Sequence, residues 1–392
     1  MDENIKKAMN IPAEFDEIRP YSPEELPQVF EELLSDPMFQ SVAKSVMPDM
    51  SLEKLHYMLA QCKTNLDVQK NIFYPLLMDI IDRHSDGFDL DASALPDKTV
   101  NYTFVSNHRD IVLDPGFLSV GLLQNGFPTT VEIAIGDNLL IYPWIKKLVR
   151  VNKSFIVQRA LSMRQMLESS ARMSRYIHFA VTQKHENVWI AQREGRAKDS
   201  NDYTQESVLK MLAMGGKGDI VDSLKELNIV PMSISYEYDP CDFLKAEEMQ
   251  LKRDIEGFKK SQEDDLNNMN TGIFGYKGRV HFHAASCINE KLDALKGLPK
   301  AEIFRKTAEL IDREIHRNYR LYPGNYVACD LLEGGNRFAG KYTPEDKEKF
   351  EAYLRKKLGM IALENKDEAF LRERILYMYA NPAFNHQKAI VA

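Results

Sequence analysis

TFVSNHRDIVLDPGF, residues 103–117, is the stretch that decides how this chain is organised. An apolar, β-rich run ends in an asparagine, and His108 follows it, flanked by further charged residues. Asp114 stands six residues after the histidine and directly before Pro115, a pair typical of the start of a helix. The stretch therefore predicts a strand, a short polar loop and a helix, with His108 at the carboxyl end of the strand.

The middle of the chain repeats this rhythm. Short β-rich runs alternate with segments long enough for helices, such as 160–182 and 243–258. The predicted strands are 102–105, 130–135, 154–157, 188–191, 229–235 and 280–283. Alternating strands and helices predict an α/β fold with a mostly parallel sheet flanked by helices. Functional residues of such sheets tend to lie at the carboxyl ends of the strands.

The two ends of the chain are predicted as helical. Both carry apolar residues at helical spacing, and the segment 301–317 is clearly amphipathic. The polar, turn-rich stretch 85–98 indicates a boundary. The sequence therefore predicts a helical N-terminal unit at 1–90, an α/β core at 91–290 and a helical C-terminal unit at 291–392.

Composition excludes several classes of protein. The net charge is −7, from 51 basic and 58 acidic residues, which argues against a nucleic-acid partner. The four cysteines are scattered without a CxxC pair, as expected for reduced thiols in the cytoplasm. No apolar run approaches the roughly 18–20 residues that cross a bilayer. We expect a cytoplasmic protein, either soluble or peripheral on the inner face of the membrane.

His108 is the candidate catalytic residue. A histidine at a strand end can serve as a general base near neutral pH if a carboxylate fixes its tautomer. Two carboxylates are near in sequence, Asp110 and Asp114. The alternative is that His108 is an ordinary loop residue and that Asp114 caps the next helix.

The segment NHRDIVLDP resembles the first motif of the glycerolipid acyltransferase family. That motif is a histidine, four spacer residues and an aspartate, often preceded by asparagine and followed by proline. Here the spacer has five residues, so Leu113 stands at the position of the family's aspartate. Asp114 keeps the Asp-Pro pair and is the favoured partner of His108, and Asp110 is the alternative.

Three further segments resemble the family's later motifs in the same order. The matching residues are Gly136–Leu139 with Phe155–Arg159, then Glu194, Gly195 and Arg196, and then Pro231, Tyr236 and Glu237. Gln158 replaces one of the family's two adjacent arginines, whereas Arg159 is kept. The resemblance covers roughly residues 100–290.

The resemblance implies an O-acyltransferase that moves a fatty acyl group from acyl-CoA or acyl carrier protein to a phosphorylated glycerol acceptor, without metal or cofactor. His108 would be the base. The implied substrate-binding residues are Arg109, Arg159, Glu194, Gly195, Arg196 and Lys198. Arginine side chains suit phosphate because their planar fork matches its oxygens. Pro231 is expected to shape the acyl site.

Some alternatives stay open. The acceptor could be a lipid without phosphate, or the chain could be a non-catalytic scaffold with a decayed core. The basic segment Trp144–Lys153 could contact anionic lipid or an acidic carrier protein, or it could be a packed helix with a solvated basic side. His281 and His283 share one strand face, but no cluster of matching ligands accompanies them, so we expect no metal site.

Overall fold

The computed structural model describes residues 11–158 and 163–391. Within that part of the chain, seven strands form one sheet. The strands are β1 (Phe88–Asp91), β2 (Thr103–Ser106), β3 (Val131–Gly136), β4 (Ser154–Val157), β5 (Asn187–Ala191), β6 (Ile229–Tyr236) and β7 (Val280–Ala284).

The strands lie in the order β1-β7-β6-β2-β5-β3-β4. All neighbours run parallel except β6 and β7, which are antiparallel. The predicted α/β fold with a mostly parallel sheet, flanking helices and helical ends is confirmed. Because β6, β2, β5, β3 and β4 point the same way, the loops that follow them meet at one edge of the sheet.

The helices surround this sheet and continue into both ends of the chain. The N-terminal helices are Leu26–Leu34, Pro37–Val46, Leu52–Gln61, Asn65–Val68 and Tyr74–His84. Those between or beside the strands are Leu113–Gln124, Pro143–Val151, Met163–Thr182, Glu206–Leu212, Ile220–Glu226, Asp242–Asp254 and Gln262–Phe274. The C-terminal helices are Asn289–Asp293, Lys300–Arg317, Pro323–Glu333, Pro344–Gly359 and Glu368–Val391.

Two hydrophobic layers hold the sheet. Leu113–Gln124 packs on one face, where Phe104 of β2 belongs to the core. Met163–Thr182 and Lys300–Arg317 pack on the other face, together with Val105 of β2. Because successive side chains of a strand point to opposite faces, β2 is apolar on both sides, as a central parallel strand must be.

The strand β1 was not predicted. It lies inside the turn-rich stretch 85–98. Its two aspartates alternate with the apolar residues Phe88 and Leu90, so the run does not stand out as a strand. The predicted boundary at residue 90 falls within β1, and the boundary at residue 291 falls within the helix Asn289–Asp293. Neither boundary coincides with a break between elements.

The two histidines of β7 pair with the two aspartates of the edge strand β1. His281 Nδ1 lies 2.7 Å from an Asp89 carboxylate oxygen, and His283 Nδ1 lies 3.3 Å from one of Asp91. Among the described residues, no group of three or more His, Cys, Asp or Glu side chains is placed to hold a metal ion.

The basic segment forms the helix Pro143–Val151 and its end, and several of its side chains pack against the rest of the protein. Trp144 is buried, and the Arg150 guanidinium donates two hydrogen bonds of 2.8 Å to backbone carbonyls. Lys153 is buried in an ion pair with Glu186. These side chains are packed as the second interpretation has it, and a contact of the segment with anionic lipid or an acidic carrier protein stays a prediction. No helix within the described ranges has both the length and the apolar character to cross a bilayer.

Candidate active site

The candidate site lies where β2, β5 and β6 end. Asn107 extends the pairing of β2 with β6 by its side chain, since Nδ2 donates to the Ile234 carbonyl at 2.9 Å and Oδ1 accepts from the Ile234 amide at 2.8 Å. Asn107 is fully buried, so these two bonds fix the backbone at the point where the strand ends. His108 follows directly.

His108 pairs with Asp114. Nδ1 lies 2.7 Å from Asp114 Oδ2, and because a carboxylate only accepts, Nδ1 carries the proton and donates it. The ring also makes an edge-on contact with Trp189, with centroids 5.4 Å apart. Among the described residues, Nε2 has no hydrogen-bond partner. In the neutral ring, Nε2 is therefore the nitrogen that can accept a proton from a bound molecule.

Asp114 is held from several directions. Its Oδ2 also accepts from the backbone amides of Arg109 at 2.6 Å and Asp110 at 3.0 Å. Its Oδ1 accepts from the Tyr236 hydroxyl at 3.1 Å. Burial, followed by the charge of Asp114, raises the pKa of Tyr236 well above its ordinary value, so this hydroxyl keeps its proton and donates. Four donors fix the carboxylate, and the carboxylate fixes the imidazole.

Asp110 has a different place. Its Oδ1 accepts from the amides of Val112 and Leu113, each at 2.8 Å, at the start of the helix Leu113–Gln124. Asp110 thus binds two backbone amides where this helix begins, whereas Asp114 lies in its first turn and binds His108. Burial, and then the negative charge of Asp114, raises the pKa of the Asp110 carboxyl. The structure brings Asp114, not Asp110, to the histidine.

We expect Gly272→Ala to disturb this arrangement. A Cβ at Gly272 would overlap the Asp110 carboxylate, which is itself buried and bonded. Overpacking of this kind costs about 1–3 kcal/mol of unfolding free energy, which urea denaturation would measure. Gly359→Ala is the matched control, because this helical glycine has no atom near its added Cβ. An equal loss of stability in both variants would contradict the placement of the Asp110 carboxylate against Gly272.

Arg109 is buried away from solvent. Its guanidinium forms an ion pair with the fully buried Asp202 and donates to the Ser200 hydroxyl. Breaking a buried pair leaves an uncompensated charge, which is strongly unfavourable. The guanidinium is thus paired inside the protein, and the phosphate-binding role of Arg109 stays a prediction.

Lys198 is engaged as well. Its Nζ lies 2.6 Å from Glu248, whose carboxylate also pairs with Lys252 at 2.8 Å. Burial lowers the pKa of Lys198 to about 8, against the opposing effect of Glu248. Glu248 thus pairs with the ammonium, and the role of Lys198 as a phosphate ligand stays a prediction.

Arg196 differs from both. Its Nη2 donates one long hydrogen bond of 3.3 Å to Asn268, and its buried Nη1 has no partner among the described residues. Its positive charge acts on the Asp110 carboxyl, which places it close to the loop that carries His108. A buried donor without an acceptor is unusual in a folded protein and indicates a missing partner.

The remaining predicted residues occupy the surrounding loops and the sheet. Gly195 has a φ of +66°, which favours glycine, and it is exposed beside the exposed Glu194. Pro231 pairs with Val105 inside the sheet, so it lies before the edge that holds His108 and does not adjoin it. Arg159 lies outside the described residues.

Sequence reasoning did not assign the roles of Asn107, Trp189 and Tyr236. Asn107 had a local signal, since an asparagine directly after a strand can bond the neighbouring backbone. Trp189 and Tyr236 lie on other strands, and only the strand order brings them beside His108. Their contribution could not be predicted from spacing along the chain.

No family model and no curated protein matches this chain. Among solved structures, the chain is similar to the crystal structure of the 1-acyl-sn-glycerophosphate (LPA) acyltransferase, PlsC, from Thermotoga maritima. The two share 13% identity over 75% of this chain and 96% of that chain, with a TM-score of 0.38. This likeness is too weak to assign a function, which rests instead on the residues of the chain itself.

Proposed function

We propose that this protein is an O-acyltransferase that moves a fatty acyl group from a thioester to the hydroxyl of a phosphorylated glycerol acceptor. The observation that carries the proposal is the His108–Asp114 pair at the carboxyl end of a central strand, with Nε2 unpartnered within the part of the chain that the structure describes. An imidazole held in this way is the general base that activates a hydroxyl near neutral pH.

The reaction follows from that geometry. His108 Nε2 takes the proton of the acceptor hydroxyl as its oxygen attacks the thioester carbonyl carbon. The new C–O bond gives a tetrahedral intermediate with an oxyanion, and the imidazolium is stabilised by Asp114. The C–S bond then breaks, and the imidazolium returns its proton to the departing thiolate. The products are an ester and a free thiol, and the histidine is regenerated.

Two loop residues support a phosphorylated acceptor and a stabilised oxyanion. The buried Nη1 of Arg196 has no hydrogen-bond partner within residues 11–158 and 163–391, and a phosphate oxygen would satisfy it. The backbone amides near Gly195 are the proposed oxyanion donors, because the exposed glycine leaves the backbone open to a ligand. Glycerol-3-phosphate and lysophosphatidate both fit this acceptor class.

The donor is a fatty acyl thioester of coenzyme A or of acyl carrier protein, which present the same reacting bond. The experiment supplies each thioester to the purified protein with glycerol-3-phosphate, lysophosphatidate and a lipid alcohol without phosphate. We expect free thiol and ester product in equal amounts with a phosphorylated acceptor. Product only with the phosphate-free alcohol would favour that acceptor class. No acceptor-dependent thiol release with any of them would reject the proposal.

Arg196→Met is expected to raise KM for the phosphorylated acceptor by about 10–100-fold, because a charge-assisted hydrogen bond to phosphate contributes about 1.5–3 kcal/mol. KM for the thioester should stay close to its wild-type value. Arg305→Met, on the exposed face of a C-terminal helix, is the control. A rise in both KM values to the same extent would show that Arg196 does not select the phosphate.

A further inference from the structure

The loop of residues 199–204 connects the candidate site to the C-terminal helices. On its inner side, Ser200 and Asp202 bind the Arg109 guanidinium. Ser200 has a φ of +59°, a conformation that is costly for a residue with a side chain. Such a conformation persists where the surrounding contacts impose it.

The helix Glu368–Val391 forms hydrogen bonds with the outer side of the loop. Asn385 Nδ2 donates to Asn201 Oδ1 at 3.0 Å, and the Tyr203 hydroxyl donates to Asn385 Oδ1 at 3.3 Å. Asn381 Nδ2 donates to the Asp199 carbonyl at 2.8 Å. Asn385 is only 2% exposed, so its amide is committed to the loop on both sides.

The helix Lys300–Arg317 holds the same loop from a second direction. His316 Nε2 lies 2.8 Å from the Asp202 carbonyl, which only accepts, so Nε2 carries the proton. Burial lowers the pKa of His316 to about 4, and the ring is neutral at physiological pH. The Thr204 amide and hydroxyl both donate to Asp312, at 2.7 and 2.6 Å.

The inner end of this chain of contacts reaches the catalytic pair. Arg109 is anchored by its guanidinium in the loop, and its backbone amide donates to Asp114 Oδ2 at 2.6 Å. Asp114 in turn holds His108. A shift of the loop would therefore move the residue that directs the carboxylate.

We propose that the C-terminal unit positions the catalytic histidine, with Asn385 as the key positioning residue. It acts through the 199–204 loop and Arg109, and it touches no substrate. The inference rests on the proposed function for its kinetic readout, although its structural part does not. It gives the C-terminal helices a role in catalysis although they contribute no reacting group.

The test begins with Asn385→Ala. We expect faster amide hydrogen exchange in the peptide 103–117, which contains the amides that bind Asp114. We also expect kcat for ester formation to fall by about 10–100-fold, because a small misplacement of the reacting group is costly. KM should change by less than about twofold, since no substrate contact is lost.

Asn325→Ala is the matched control. Asn325 is a buried asparagine of the same unit. Its Nδ2 donates to the Tyr379 carbonyl and its Oδ1 accepts from the Tyr322 amide, each at 2.7 Å. Its loss should lower Tm while leaving exchange in 103–117 and kcat unchanged. If Asn325→Ala changes exchange and kcat as much as Asn385→Ala does, the effect is general loosening and the proposal is overturned.

A double-mutant cycle tests the route. Arg109→Met with Asp202→Leu removes the buried pair without leaving a lone charge. In that background Asn385→Ala should cost no further kcat, because the link is already cut. The same loss in both backgrounds would show that Asn385 acts by another route.

Two further outcomes also test the proposal. If Asn385→Ala does not fold, Tyr203→Phe takes its place, because it removes the hydrogen bond from the half-exposed Tyr203 to Asn385. We expect it to change exchange and kcat in the same direction but by less. Unchanged exchange and kcat in the variant that folds would overturn the proposal. If the wild type forms no ester, the proposed function fails, and exchange in 103–117 alone decides whether the C-terminal unit holds the loop.

Discussion

His108→Ala is expected to abolish acyl transfer, lowering kcat by about 10²–10⁴-fold, the usual contribution of a general base. No other described group can take the proton from the same place, because the neighbouring carboxylate of Asp114 is enclosed by its own donors. The ring is mostly buried, but to the other described residues it makes a single hydrogen bond, so the fold should survive its removal. The measurement is ester formation under saturating thioester and acceptor, with circular dichroism and Tm of the same sample.

The control for His108→Ala is His56→Ala. His56 is half-exposed on a helix of the N-terminal unit and pairs with Glu31. We expect its kcat to equal that of the wild type. A His108→Ala variant that is folded and retains activity within about threefold of the wild type would exclude the imidazole as the base.

Asp114→Asn is expected to reduce kcat by about 10²–10⁴-fold, because an amide can turn its NH₂ toward Nδ1 and so favour the wrong tautomer of the ring. The negative charge that stabilises the imidazolium is lost as well. KM for both substrates should change little, since Asp114 is fully buried and meets neither. Steady-state kinetics with each substrate varied in turn would measure both constants.

Asp110→Asn is the contrast. Its Oδ1 acceptor survives, so the amides of Val112 and Leu113 keep their partner. Burial already raises the pKa of this carboxyl, which makes a neutral amide an acceptable replacement. We expect kcat within about threefold of the wild type. Equal, severe losses in both variants would mean that the two aspartates act together, and two mild losses would contradict the pairing of His108 with Asp114.

The pattern of the sequence predicted the strands that sit in the middle of the sheet. β2 and β6 are buried along their whole length, and their β-rich runs stand out between helical segments. The edge strand β1 has only four residues, two of them aspartates, and nothing in it distinguishes a strand from a polar turn. Its partner β7 supplies the histidines that make those aspartates favourable there.

The candidate site was predictable only as far as local chemistry reaches. The position of His108 at a strand end followed from the sequence, and Asp114 was the favoured partner. The ion pairs of Arg109 and Lys198 did not follow, because their partners Asp202 and Glu248 are distant in sequence. Only the fold shows which carboxylate pairs with a cation of a loop.

The most direct test of the central claim is the position of the proton on the His108 ring. Two-bond ¹H–¹⁵N correlation spectra of protein labelled at histidine nitrogen, assigned by comparison with His108→Ala, report it without any substrate. For the neutral ring we predict a protonated, pyrrole-type Nδ1 that donates to Asp114 and an unprotonated, pyridine-type Nε2. The same spectrum in Asp114→Asn should show the tautomer preference weakened or reversed. A wild-type ring with its proton on Nε2 would have no lone pair to receive the acceptor's proton and would contradict the assignment of His108 as the base.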